Sequence, residues 1–446
     1  MLQNKTLRYS LFTTLLLSTS AQATSFNSFD PKSMAMGGAG VAIADPATAP
    51  FFNPALLSIA EKDDDFAIEI PVLGGRISDQ NDFIDKIDGT DILFDNVDNA
   101  INAFNAQATF LPGSTQAMTS SMNTLNNRIS SLNNSPLAGN GGLGMVVSIP
   151  SETFGLAFSA SGSISGAGAF DYADAATVTA FTNDMTTVDD CIFDNGGTIN
   201  AGAIGCMQAG VTQVTIDGTT GDITFNTDTD LNSKAQFVGI GVTEVGLSIS
   251  REFFIGSSNY AFGITPKSVS VSIIDFEASA NTVEDDIDNI TDNTDDFTDF
   301  NLDFGVARDF ENGWRGGLAI KNLISQEYVS TGPLKTTVKL EPQIRAGVSH
   351  QNDWSTVAID LDITENDTLG LLNGGSTQYA SFGIEFNAWE IAQLRAGYRA
   401  DLVNDNRDVF SVGFGLSPFG VHMDLGLAIG ENENEAGFAL QFGFRI

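Results

Sequence analysis

Few side chains in this sequence are equipped for covalent chemistry. Its 446 residues include only two His and two Cys. Acyl-transfer chemistry needs a hydroxyl nucleophile, a base beside it and a third group that orients the base. His422 has Asp424 two residues on, on the same face of an alternating segment, while His350 stands near a turn. A lone histidine of this kind is more often structural, so no enzymatic activity is expected. Two cysteines are too few for a thiolate zinc site, and no Cys-x-x-Cys is present. In an oxidising compartment Cys191 and Cys206 should instead pair as a disulfide. Glu284, Asp285, Asp286, Asp288, Asp292, Asp295, Asp296 and Asp299 form a dense carboxylate run with no base among them. Carboxylates at this density can collect Ca²⁺. The run lacks the sharp-turn glycine of an EF-hand loop, so it reads as a solvated acidic segment, with no metal and no cofactor expected.

The bases are scarce and their positions are informative. Twenty Lys and Arg stand against 56 Asp and Glu, a formal net charge of −36. That disfavours nucleic acid as a partner, because phosphate neutralisation needs a basic face. Lys321, Lys339, Arg345, Arg395, Arg399 and Arg445 fall on the polar face of alternating segments, as do Glu341, Asp360, Asp362, Glu385, His422 and Asp424. Two readings follow. The charges form salt bridges that hold an interior shut, or a basic spot binds the carboxylate of an amphipathic ligand. On the second reading Arg345, Arg395, Arg399 and Lys339 are the ligand-binding candidates. Arg395 and Arg399 come first, since they flank Gly397 on one strand face.

The elements that would position these charges are strands. In the last segment Phe438, Leu440, Phe442, Phe444 and Ile446 alternate with Gly437, Ala439, Gln441, Gly443 and Arg445. One face is apolar and the other small or polar, the period of a β-strand. The pattern recurs around Phe154–Ser161, Val357–Ile363, Phe410–Leu416 and Val421–Leu427. Fourteen such strands can be placed, the first at about residues 65–73. Short links follow the even strands, at 150–153, 251–259, 311–313, 351–353, 387–390 and 417–420. Longer, more acidic links follow the odd strands, at 76–140, 166–235, 276–297, 330–335, 364–375, 401–407 and 430–435. Short turns on one rim and long loops on the other are the outer-membrane arrangement. The expected fold is therefore an all-β membrane protein, an antiparallel outer-membrane β-barrel with its apolar face on lipid. No run of 18 apolar residues provides a membrane-spanning helix.

Lys5 and Arg8, the apolar stretch Leu11–Leu17 and the small-x-small step Ala21-Gln22-Ala23 read as a signal peptide cleaved after Ala23. That places the chain in the outer membrane of a Gram-negative cell, with membrane lipid and the barrel-assembly machinery as partners. The expected organisation is residues 1–23 as signal, 24–62 as a lumenal hatch or plug, and 63–446 as barrel. Within the barrel, link 76–140 should be helical, because Ile84, Ile87, Leu93, Val97, Ile101, Phe104, Met122, Leu125, Ile129 and Leu132 recur at helical spacing in two short amphipathic helices. It reads as a cap over the barrel mouth or as a ligand-capturing surface. Link 166–235 should carry the disulfide, and 276–297 the acidic run.

The segment after the signal contains Met36-Gly-Gly-Ala-Gly40, the Asp45-Pro46 step and Asn53-Pro54-Ala55-Leu56-Leu57. It is too glycine-rich for one long helix, yet Phe51, Phe52, Leu56 and Leu57 make it too apolar for a tail. It resembles the start of FadL-like fatty-acid transporters, in which a Gly-rich run leads to Asn-Pro-Ala in a lumenal hatch. It is more similar still to exported proteins labelled conjugal transfer protein TraF, as is Leu394-Arg-Ala-Gly-Tyr-Arg399. The chain ends on Ile446 where barrels usually end on Phe. The resemblance implies hatch or gating roles for Gly37, Gly38, Gly40, Asp45, Pro46, Asn53, Pro54 and Ala55. It also implies one of two functions: passive uptake of hydrophobic or amphipathic small molecules, or a non-transporting outer-membrane role in conjugal transfer or surface assembly.

Overall fold

The computed structural model describes residues 21–22, 29–59, 66–79, 82–107, 109–133, 135, 137–151, 153–225, 232–279, 294–367, 376–388, 391–405, 407–431, 433 and 435–445. Most of the proposed signal sequence lies outside these residues, as do Glu284, Asp285, Asp286, Asp288 and Asp292 of the acidic run.

Fourteen antiparallel strands close into a barrel. They are β1 (Ala67–Ser78), β2 (Leu137–Ile149), β3 (Gly155–Asp171), β4 (Lys234–Ile255), β5 (Ser258–Ser279), β6 (Thr294–Asp309), β7 (Trp314–Lys321), β8 (Gln343–Asn352), β9 (Ser355–Asp362), β10 (Tyr379–Ala388), β11 (Ala392–Asp401), β12 (Val409–Leu416), β13 (Val421–Gly430) and β14 (Glu435–Arg445). Each pairs with its sequence neighbour, and β14 pairs with β1, with Ala67 opposite Arg445. Closure leaves no open edge in the bilayer, where unpaired backbone groups would find no water. Phe158, Val348, Phe382, Leu394, Phe410, Leu427 and Phe438 stand exposed on the outside. Their neighbours Ala157, Ser349, Ser381, Arg395, Ser411, Ala428 and Ala439 are buried inside. Trp314 and Trp354 lie exposed beside the short turns, where an aromatic girdle belongs.

The sequence period located every barrel strand, but one link differs. Residues 322–342 are all connection, and within them Gln326–Val329 and Thr337–Leu340 pair as a hairpin arm. Tyr328, Val338 and Leu340 of the arm pack on Val238, Ile240, Val269 and Ile273 inside β4 and β5. The arm alternates as a barrel strand would, so periodicity alone could not separate it from the wall. Lys339 is corrected accordingly: it sits on the arm, with Nζ 3.8 Å from Glu327 Oε2, and not on β8.

Link 1 is helical as expected, with helices Phe83–Ile87, Thr90–Asn105 and Gln116–Leu132. The first is a short addition to the expected pair, and its Ile84 is exposed. Link 2 contributes two helices that its sequence did not announce, Ala175–Asp194 and Ala201–Gly210. The two links share one core, in which Val97, Phe104 and Met122 meet Phe181, Val188 and Met207. Cys191 and Cys206 are bonded across these two helices, with Cα atoms 5.7 Å apart. Closing a 15-residue loop contributes about 3 kcal/mol in the chain-entropy treatment.

Candidate functional site

The plug runs through the lumen from Phe29 to Ile59. Asp30 caps its first short helix, Pro31–Ala35, by accepting the Ser33 N–H at 2.6 Å, and Pro31 supplies the fixed φ of a first helical residue. Gly37 and Gly38 then take φ of +70° and +95°. Such values are open to glycine and strained for almost any other residue. After the Ala49–Phe52 turn, Asn53 caps a 3₁₀ turn, Pro54–Ser58, by accepting the Ala55 N–H at 3.1 Å. The apolar residues that made a tail implausible are buried: Phe52, Leu56 and Leu57 pack against Val146, Ala157 and Ala261 of the wall.

The wall makes room for the plug with glycine. A Cβ on Gly305 would collide with Asn53 Oδ1, one on Gly383 with Met36, and one on Gly397 with the backbone of Met36 and Gly37. These positions lie on the small face of the alternation. Their purpose is invisible in sequence because the partner is more than 250 residues away.

Polar contacts then fix the register of the plug. Asn53 Nδ2 donates to Val41 O at 3.0 Å and to Val306 O at 3.1 Å, so this buried side chain ties two plug turns to β6. Asp360 Oδ2 accepts the N–H groups of Gly40 and Val41 at 2.7 and 2.9 Å. Arg345 donates to Gly38 O at 3.2 Å while holding Asp362 through two contacts, at 2.5 and 3.1 Å. Asp45 receives Lys32 Nζ and Arg445 Nη2, each at 2.9 Å. Burial alone would raise the Asp45 carboxyl; Arg445 and Lys32 outweigh it and hold the group well below the usual carboxylate range. Asp30 goes the other way. Burial pushes its carboxyl up to about 7, against the lowering effect of the Ser33 N–H.

The hatch residues named from sequence therefore converge: Gly37, Gly38, Gly40, Asp45, Pro46, Asn53, Pro54 and Ala55 all lie in the plug, and all but Pro46 touch the wall or frame a wall contact. Ala55 reaches the wall through its carbonyl, which accepts the Ser250 hydroxyl at 3.0 Å. None of the ligand-binding candidates Arg345, Arg395, Arg399 and Lys339 lines the lumenal cavity described below. Arg395 lies between Glu385 and Asp424 at 2.6 and 2.5 Å. Arg399 meets Glu435 at 2.8 Å and covers the Tyr379 ring, with its guanidinium carbon 4.4 Å from the centroid. His422 Nε2 is 2.6 Å from Glu69 Oε2, which also accepts from Gln441 at 2.7 Å. His350 packs edge-on against Trp314.

Open space lies elsewhere. A cavity of about 100 Å³ is lined by Phe29, Pro50 and Phe51 of the plug, by Ser159, Ser161, Ser163 and Ser165 of β3, and by Ile240, Val242 and Glu244 of β4. Lys267, Asp303, Lys321, Asn322 and Gln343 complete it. Ile240 and Val242 also touch the cluster that seats the arm, so the cavity lies between plug and arm. Sequence reasoning did not single it out. The four serines at period two were its one legible signal, and they read simply as a polar strand face.

Taken together, a closed fourteen-strand barrel with an apolar outer belt and a docked N-terminal plug defines an outer-membrane β-barrel protein. The family model described as "F plasmid transfer operon, TraF, protein" matches residues 50–362. The chain belongs to that family. Among solved structures it is similar to the Ralstonia pickettii toluene transporter TbuX, at 12% identity and TM-score 0.49, covering 95% of this chain and 99% of that one. It is also similar to the Pseudomonas putida toluene transporter TodX, at 12% identity and TM-score 0.44, covering 94% and 98%. No curated protein matches the sequence.

Proposed function

We propose that this protein resides in the outer membrane of a Gram-negative cell and mediates passive uptake of small hydrophobic or amphipathic molecules. The observation that carries this reading is the cavity inside the lumen. It lies between a plug on the turn side and an arm on the loop side, and apolar and polar side chains are interleaved in its lining. A small ligand site is concave, largely preformed and lined by apolar groups with a few placed polar ones. The hatch residues act as a gate, and Asn53 is its pin, since one side chain holds plug to plug and plug to wall. Arg345, Arg395 and Arg399 act on a ligand through the docked plug and the shape of the lumen.

The test is uptake of labelled hydrocarbons, monoaromatics and fatty acids by a host that lacks its own transporter and expresses this protein in its outer membrane. Saturable uptake is expected, and Asn53→Ala should change its rate at least tenfold, since it removes three buried hydrogen bonds worth about 1 kcal/mol each. No uptake by a barrel shown to be folded would overturn the reading.

One observation favours a second role, in conjugal transfer or surface assembly. The two large loops form a helical unit with its own core and disulfide, more structure than a pore needs. Replacing residues 83–132 and 175–225 with short turns should then lower mating frequency and leave uptake intact. The charge of −36 argues against a DNA conduit in either case.

A further inference from the structure

The cavity has a size and a charge balance that restrict its occupant. At about 100 Å³ it is smaller than the apolar cavity of about 150 Å³ that encloses benzene, so a single ring would fill it and project through its open side, and a long acyl chain needs far more. Phe51 of the plug and Val242 of β4 supply apolar surface, Val242 directly beside Ser163 in the β3–β4 register. Ser161 and Ser163 line the cavity from β3, and among the described residues neither hydroxyl has a hydrogen-bond partner. A hydrocarbon would leave both hydroxyls dry.

An ion would fare no better. Lys267 is held between Glu244 Oε1 at 2.8 Å and Asp303 Oδ1 at 2.9 Å, and Lys321 also lines the space. Two ammonium groups and two carboxylates leave the lining neutral. A ligand carboxylate would have to displace Glu244 or Asp303 to reach Lys267, and a ligand cation would have to displace Lys267 to reach them. A hydroxyl can donate to one serine and accept from the other without disturbing either pair.

We infer that this cavity binds an uncharged, ring-sized molecule bearing one hydroxyl group, an inference that rests on the uptake reading above. The test uses the full-length folded barrel with four probes: phenol, toluene, benzoate and oleate. Equilibrium binding is measured on the purified protein and uptake in the expressing host. Phenol should bind about tenfold more tightly than toluene or benzoate, the worth of two neutral hydrogen bonds at about 0.7 kcal/mol each, with oleate weakest. Ser161→Ala combined with Ser163→Ala should abolish the preference of phenol over toluene. Should that pair fail to fold, Ser163→Ala alone should halve the preference or more. Equal binding of phenol and toluene by the native protein, or a preference that survives the serine variants, would overturn the inference. Saturable phenol binding without uptake of any probe would sink the channel and keep the site. Toluene uptake with no phenol preference would sink the site and keep the channel.

Discussion

On β8 to β14 many inward positions carry charge, and on β3 to β5 many carry hydroxyls. The charged side is full. Arg345, Arg395 and Arg399 each lie against a carboxylate, and Arg345 and Asp360 reach the plug backbone as well. The hydroxyl side has Ser159 to Ser165 facing open space. The contrast has a physical cause. A buried charge demands close, oriented partners, because its desolvation costs several kcal/mol, so a charged wall draws other groups into contact. A serine hydroxyl is satisfied by water or by a ligand, so a serine wall tolerates a cavity. A basic residue inside a barrel is therefore weaker evidence for a binding site than a stripe of small polar ones.

The largest effect should come from breaking the charged side. Arg395→Ala strands Glu385 and Asp424 in a buried site, which should cost on the order of 3–5 kcal/mol. The temperature at which the folded band is lost in a heat-modifiability gel should fall sharply, whereas Ser163→Ala should barely move it. An equal shift for both would erase the distinction between the two walls.

Next in size is the disulfide. Cys191→Ser with Cys206→Ser should destabilise the helical cap by about 3 kcal/mol. Protease sensitivity should rise within 175–225 while the barrel keeps its heat-modifiable mobility, because the cap buries its own core. The plug has no such independence. Gly397→Val drives a side chain into Met36 and Gly37, overpacking that typically costs about 1–3 kcal/mol. It should dislodge the plug and raise ion conductance in a planar bilayer, whereas a valine at Ser163 should not.

The most local effect is a pH dependence. Asp30 has a folded-state carboxyl near 7 against an ordinary value of 3.8, raised by burial. Below about pH 4 it is protonated in both states and makes no difference to plug docking. As pH rises toward 7 the folded plug holds a proton that the free plug releases, and stability declines. Asp30→Asn keeps a capping side chain and removes that decline. It should stabilise the plug at pH 8 and leave it unchanged at pH 4, measured by protease protection of the N-terminal segment.

Much of this was legible in the sequence. Period two fixes which residues of a strand face lipid, because adjacent side chains point to opposite sides, so Arg395 and Phe410 were assigned to their faces from alternation alone. The alternation of short and long links gave the strand count. Phe52 and Leu57, apolar where a tail would be polar, gave the plug. Cys191 and Cys206 gave the disulfide. What the sequence could not supply was which inward residues meet. Gly397 and Gly37 lie 360 positions apart and touch only because the barrel closes around the plug. The residues of the arm alternate like any barrel strand, and only its packing on β4 and β5 takes Lys339 out of the wall. The cavity exists where the plug, seated on Ala157 of β3, leaves Ser161 to Ser165 of the same strand facing open space. Local periodicity determines a strand and its faces; an empty space is a property of elements distant in sequence that fail to meet, and only the tertiary structure decides it.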